Sequence, residues 1–292
     1  MIALLVVLCA SLALAQRTPP MPGQLVMVNA RELHVDCRGK GPSVVFVNGI
    51  PRFSMDWLLV QQEVAKFARA CTWDRASEAW SGTGWSYDAE VAVSDLDQIA
   101  KYADATAPVI LVAHSAGGSV SRIFASRHPA RVRALILVDA VPNNGETMAS
   151  ITEEQIAQAV EQVLNRPRQE PPPIEAALKK LPDHAQTSHT WAASRWFLDQ
   201  GANVLEGMNY QRDIGKALLG ASRKPKRLGA MRLIVIARAA SADDEGDWIK
   251  QQRKLLEWST NATLIRAVGS SHDIEVDDPA IIVTAIRSAL AK

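Results

Sequence analysis

The stretch Ile110-Leu111-Val112-Ala113-His114-Ser115-Ala116-Gly117-Gly118 constrains this chain more than any other. Its apolar half reads as a strand buried on both faces of a parallel sheet. A tight turn follows, and then a helix beginning at Ser119-Val120-Ser121-Arg122-Ile123-Phe124. The small-x-Ser-x-Gly spacing at Ala113, Ser115 and Gly117 is that of a nucleophile elbow. Such a turn lifts a serine hydroxyl above the sheet, on strained backbone, at the positive end of the next helix. Small residues are needed on both sides because strand and helix approach closely there. A serine held in this way is placed to attack a carbonyl and form an acyl-enzyme. The plain alternative, a helix N-cap serine, leaves the small flanking residues without a reason.

The chain has 292 residues, of which 48% are hydrophobic, with a net charge of +1. That is enough for one large α/β domain carrying an insertion. A charge near zero gives no electrostatic reason for a nucleic-acid or anionic-membrane partner. Ile2 to Leu14 is an uncharged apolar run closing on Ala13-Leu14-Ala15, ahead of the polar Gln16-Arg17-Thr18-Pro19-Pro20. This pattern predicts a signal peptide over residues 1–15, cleaved after Ala15, and a secreted or periplasmic mature chain. An uncleaved anchor is the other reading, but the run is shorter than the roughly 20 residues of a membrane span. Without the leader, Cys37 and Cys71 remain, and counting alone allows one disulfide or two buried thiols. No His-x-x-x-His spacing, paired-cysteine spacing or glycine-rich nucleotide loop is present, so neither metal nor cofactor is expected.

Leu25 to Cys37 reads as a β-hairpin turning near Asn29-Ala30, and Ser43 to Val47 as a buried parallel strand. Further strands are expected at Ala70–Asp74, Val109–Ala113, Ala134–Val138, Arg232–Ala237 and Thr263–Ala267. Helices are expected at Leu58–Phe67, Val91–Tyr102, Trp248–Trp258 and Pro279–Leu290. The alternation predicts a mostly parallel, doubly wound sheet. Between Pro142 and Ala230 no strand-like alternation appears. Helical patterns run over Ile151–Leu164, Ile174–Leu181, Trp191–Leu198 and Val204–Leu219, interrupted by the breaker Arg166 to Pro173. The organisation predicted is a core of residues 16–142 and 231–292 with a helical lid, 143–230, inserted between two late strands.

Three pieces stand in a telling order. Asn48-Gly49-Ile50-Pro51 follows the first buried parallel strand, the Ser115 elbow follows a later one, and Gly269-Ser270-Ser271-His272-Asp273 follows the last. Together with the lid position, they make the chain resemble the α/β-hydrolase superfamily over nearly all its mature length, most closely its lipase, esterase and peptidase-like members. Asp74 to Ser81 also resembles the Asp-Arg-x-Gly-x-Gly-x-Ser turn common there, with Ser77 and Ala79 in place of the glycines. The resemblance implies Ser115 as nucleophile and His272 as general base, with the amides of Ile50 and Ala116 as oxyanion donors. Where the family usually has His-Gly before that donor, this chain has Asn48-Gly49. In the family sheet the second hairpin strand lies antiparallel beside the strand holding Cys71. The resemblance therefore implies a Cys37–Cys71 disulfide.

A third residue must orient His272. The family's usual acid follows the strand Arg232–Ala237, but the loop there reads Arg238-Ala239-Ala240-Ser241-Ala242-Asp243-Asp244-Glu245, with no acid at the strand end. Asp243 or Asp244 reaches the base only if that loop folds back. The other position, used in haloalkane dehalogenase-like members, is the end of the strand before the lid, where Asp139 stands. An acid at the carboxyl end of a parallel strand points into the active-site crevice; a carboxylate capping a lid turn is the other reading. Asp139 ranks first and Asp243 second. Trp191, Trp196, Phe197 and Met208 on lid helices, and Trp57, Trp80 and Trp85 on loops, suggest an apolar pocket.

The implied activity is cleavage of a carboxylic ester, thioester or small amide in a small acyl substrate through an acyl-enzyme. A serine at the elbow argues against dehalogenation or epoxide opening, which use a carboxylate nucleophile. The rivals are an aminopeptidase, haloperoxidase-like or lyase reaction on the same residues, and a non-catalytic binding protein of the same fold.

Overall fold

The computed structural model describes residues 18–83, 88–142, 145–165, 173–198, 200–222 and 227–291. The expected signal peptide, Trp85 and most of the proline-rich breaker lie outside the described residues, as do the side chains of Trp196 and Phe197. Apolar runs broken by turns form the strands β1 (Gln24–Val28), β2 (Arg31–Arg38), β3 (Ser43–Val47), β4 (Arg69–Trp73), β5 (Val109–His114), β6 (Val132–Val138), β7 (Arg232–Ala239) and β8 (Asn261–Val268). They make one sheet in the order β1-β2-β4-β3-β5-β6-β7-β8. β1 and β2 are antiparallel to their neighbours, and every other pairing is parallel. The opening hairpin turns on Asn29 and Ala30, whose φ values of 47° and 61° are the left-handed pair that a two-residue turn demands. Cys37 faces Cys71 in the β2–β4 register, and a disulfide joins them.

The helices are α1 (Leu58–Val64), α2 (Ala89–Ala103), α3 (Gly117–Arg127), α4 (Gly145–Ala149), α5 (Glu153–Leu164), α6 (Asp183–Leu198), α7 (Gln200–Ser222), α8 (Asp247–Arg253), α9 (Ile274–Asp277) and α10 (Pro279–Leu290). Strand residues alternate between two cores, as the period of two requires. Val44, Phe46, Ile110, Val112 and Ile136 pack against Val60 and Val64 of α1 and Ile282 and Ile286 of α10. Val45, Val47, Leu111, Ala113 and Leu135 pack against Leu96 and Ile99 of α2 and Ile123 and Phe124 of α3. Burial on both faces explains why these strands read as continuous apolar runs rather than alternating ones.

The chain passes from β3 to β4 on one side, then returns to lay β5 on the other. Strand order reverses there, and the crevice at the carboxyl ends of β3 and β5 is where open α/β sheets bind ligands. Between β6 and β7 lie α4 to α7. Trp191 of α6 packs on Trp80 at 5.5 Å between ring centroids, tying that helix to the loop after β4. The helix expected over Ile174–Leu181 is reduced to a 3-10 turn at Leu178–Lys180. Pro173 and Pro182 leave too few residues between them to offset helix nucleation. The expected Trp248–Trp258 helix divides into α8 and a 3-10 turn over Lys254–Trp258.

Candidate active site

β5 delivers Ser115 into a left-handed backbone conformation, φ 49°. For a residue with a side chain that conformation is strained and must be held by its surroundings. Three hydrogen bonds hold it. The Ser115 amide donates to the Val138 carbonyl at 3.1 Å, and its own carbonyl accepts from the Gly118 and Val141 amides, each at 3.1 Å. The small flanking residues have a steric cause. A Cβ on Gly117 would lie 2.5 Å from the Asn48 carbonyl oxygen, and one on Gly49 would lie 2.9 Å from the Ser115 Cβ. Helix α3 and the loop after β3 are thus pressed together directly beside the serine.

That loop is fixed from its carbonyl side. Arg75 donates to the Asn48 carbonyl at 2.9 Å and the Gly49 carbonyl at 2.6 Å. The buried Asn48 side chain donates to the Trp73 carbonyl at 2.7 Å and accepts from the Trp57 indole at 3.0 Å. The asparagine therefore anchors the loop from beneath. The amides of Ile50 and Ala116 donate to no other described residue. Arg75 is steered by Glu78 at 2.7 Å, whose carboxyl is pushed up to about 7 by burial, against the pull of Arg75. Ser77 and Ala79 adopt φ values of 62° and 41°, so the turn keeps left-handed geometry without its glycines.

Asp139 and His272 meet. The Asp139 Oδ2 lies 2.6 Å from His272 Nδ1. The other oxygen, Oδ1, accepts from the Trp248 indole at 2.6 Å and from the Arg238 amide at 3.1 Å, and the Arg238 guanidinium pairs with Oδ2. Asp139 is fully buried, while 39% of the His272 side chain is exposed. Asp243 is not brought to His272. It lies on the surface, where the Ser241 hydroxyl donates to it at 2.7 Å and holds its carboxyl below the usual range. The loop after β7 does not fold back because the Asp244 carboxylate turns it on itself, accepting from the Ala240 amide at 2.9 Å.

Beneath these groups lies a buried polar layer. His114 Nε2 is 3.0 Å from the His272 carbonyl oxygen, and the two rings are 4.5 Å apart. Burial, reinforced by His272, holds His114 well below its ordinary value, and burial holds the Glu275 carboxyl well above its own. His114, Asp273 and Glu275 bring one ligand-type atom each within 4.8 Å. Arg52 donates to Asp273 at 2.8 Å, setting a guanidinium against the cluster, and burial disfavours the ionised form of Glu275. The Arg52–Asp273 pair also ties the loop after β3 to the His272 loop.

A small cavity of about 30 Å³ borders Ile50 of the loop after β3 and Gly117 of α3 and is walled by Val47, Trp73, Val120 and Tyr210; Ser115, Asp139 and His272 do not line it. Trp57 and Trp191, expected near the crevice, are instead core residues with 1% and 6% exposure. Sequence reasoning did not find Arg238 or Trp248. The rule that located Asp139, a polar residue at the carboxyl end of a parallel strand, applies equally to Arg238. Nothing in the spacing of Trp248 marks it.

A left-handed serine between β5 and α3, a His–Asp pair that joins the ends of β6 and β8 across β7, and two amides without partners among the described residues define the class: an α/β fold with a nucleophile elbow. A family model described as the alpha/beta hydrolase family matches residues 44–285, and the chain belongs to that family. It is 23% identical over 250 residues to the uncharacterized protein YqjL of Bacillus subtilis, covering 84% of this chain and 82% of that one. It is 30% identical over 152 residues to an uncharacterized protein of Schizosaccharomyces pombe, covering 41% of this chain but only 28% of the relative's length. Among solved structures it is similar to a Bacillus megaterium epoxide hydrolase, with a TM-score of 0.67 at 20% identity over 92% of this chain and all of that one. A thioesterase domain from the curacin biosynthetic pathway gives 0.66 at 17% identity, covering 92% and 99%.

Proposed function

We propose that the protein is an exported serine hydrolase that cleaves a carboxylic ester or related acyl bond through an acyl-enzyme. The observation that carries the reading is Ser115, held at a left-handed φ of 49° at the sheet's switch point, with a buried Asp139 bonded to His272 at 2.6 Å. Folds similar to this one serve both an epoxide hydrolase and a thioesterase. The residue at the elbow chooses between such chemistries, and a serine favours acyl transfer over epoxide opening.

In this reading Ser115 Oγ attacks the acyl carbon while His272 Nε2 takes its proton. Asp139 holds Nδ1 and stabilises the imidazolium. The oxyanion forms against the Ile50 and Ala116 amides, fixed dipoles that need no reorganisation. His272 returns the proton to the departing oxygen, sulfur or nitrogen. Water, activated by His272 in turn, then attacks the acyl-enzyme and releases the carboxylic acid.

Hydrolysis of p-nitrophenyl esters tests the assignment. Ser115→Ala is expected to abolish turnover, and Asp139→Asn to lower kcat by about 10³–10⁴-fold. Asp243→Asn should leave kcat unchanged. Full activity in Ser115→Ala, or equal losses in the two aspartate variants, contradicts the reading. Export is tested by sequencing the amino terminus of the mature chain, expected at Gln16; an intact Met1 on an exported chain contradicts cleavage after Ala15.

A further inference from the structure

One more charge stands beside the acid–base pair than acyl transfer requires. The carboxyl end of β7, beside which the superfamily usually keeps its acid, carries Arg238 in this chain. Its backbone amide and guanidinium both bond Asp139, and its Nη1 lies 3.1 Å from His272 Nδ1. Two N–H donors, one from each side chain, therefore converge on the same carboxylate oxygen, Oδ2. The guanidinium is kept there by the Trp248 ring, 4.3 Å from its carbon, and that indole in turn donates to the second oxygen of Asp139.

This arrangement changes what happens when His272 takes a proton. With Asp139 alone, the imidazolium would form an ion pair. Here the carboxylate is already compensated by Arg238, and the new cation forms within hydrogen-bond distance of the guanidinium. Like charges that close disfavour the second charge. The remaining groups facing this corner do not restore the balance. Burial disfavours the charged forms of His114 and Glu275, Arg52 is paired with Asp273, and Asp277 is paired with Lys180 at 2.5 Å.

We infer that Arg238 is a positioning residue that weakens His272 as a base and strengthens it as a proton donor, keeping the site uncharged and competent into acidic solution. The inference rests on the reading of His272 as the general base. The side chains of Arg238 and His272 are 37% and 39% exposed, so water screens the repulsion. The expected effect is therefore about one pH unit, a tenfold change in proton affinity.

The test is NMR titration of carbon-labelled histidine in the full-length enzyme, with the His272 signal assigned by its loss in His272→Asn. In Arg238→Met the His272 midpoint is expected to rise by about one pH unit, whereas Arg238→Lys, which keeps the cation, should stay near the wild type. The acid limb of kcat/KM for ester hydrolysis should move with it in the same variants. Arg238→Gln, which retains a donor for Asp139, replaces Arg238→Met if the latter does not fold. Coincident His272 titrations in the wild type and the neutral variants overturn the inference. Absence of ester hydrolysis in the wild type would count against the proposed function alone, because the His272 titration reads Arg238 without any substrate.

Discussion

Ser77 and Ala79 show how a motif persists when its signature residues are lost. Both stand where similar turns have glycine, and both still adopt the left-handed conformation that glycine supplies without cost. The turn is therefore held by its bonds, among them the Ser77 amide to the Gly82 carbonyl at 2.7 Å and the Ser81 hydroxyl to the Asp74 carbonyl at 2.7 Å. Ser77→Gly should relieve the strain and raise stability by roughly 0.5–1 kcal/mol, read as an upward shift in Tm. A lower Tm would mean that the serine contributes more than its backbone costs. At this scale the sequence was legible where a residue's type and its strand end together dictate its placement, as at Ser115, Asp139 and His272. It was silent on side-chain direction. Arg238 and Trp248 complete the shell around Asp139 through orientations that no periodicity encodes.

The segment after β4 illustrates how an element carries charge into the site. Glu78 is buried against Arg75, and Arg75 holds the Asn48 and Gly49 carbonyls of the loop after β3. Burial raises the Glu78 carboxyl from 4.5 to about 7. Between those values the folded chain keeps a proton that the unfolded chain has released. Folding stability from this group is thus complete below pH 4.5 and is lost as pH rises to about 7. The loss is on the order of 3 kcal/mol. In Glu78→Gln, urea unfolding midpoints should decline less across that window than in the wild type. Parallel curves for the two proteins would contradict the assignment. Among the elements themselves, strands buried on both faces and long periodic helices were readable because burial imposes a pattern on many residues. The short α9 and the turn at Leu178–Lys180 were not, because neither spans enough residues to show a period.

At the scale of the whole molecule, the sheet's reversal of strand order does the assembling. It places the loop after β3, the elbow after β5 and the end of β6 at one crevice, and β8 brings His272 to the same edge. The order of the three loop motifs in the chain was enough to anticipate this, since the superfamily's topology admits one arrangement of them. How α4 to α7 pack on the rest of the fold was not legible, because helical periodicity says which face is apolar and not what it covers. Trp80 and Trp191 are an example: expected at the pocket, they serve instead as the joint between α6 and the loop after β4.

The central claim is that this assembled crevice makes Ser115 a nucleophile. Incubation of the protein with a fluorophosphonate, followed by peptide mass mapping, tests it most directly. The account predicts one stoichiometric adduct, on Ser115, that is absent in Ser115→Ala. An adduct on another residue, or an unmodified Ser115 in folded protein, would contradict it.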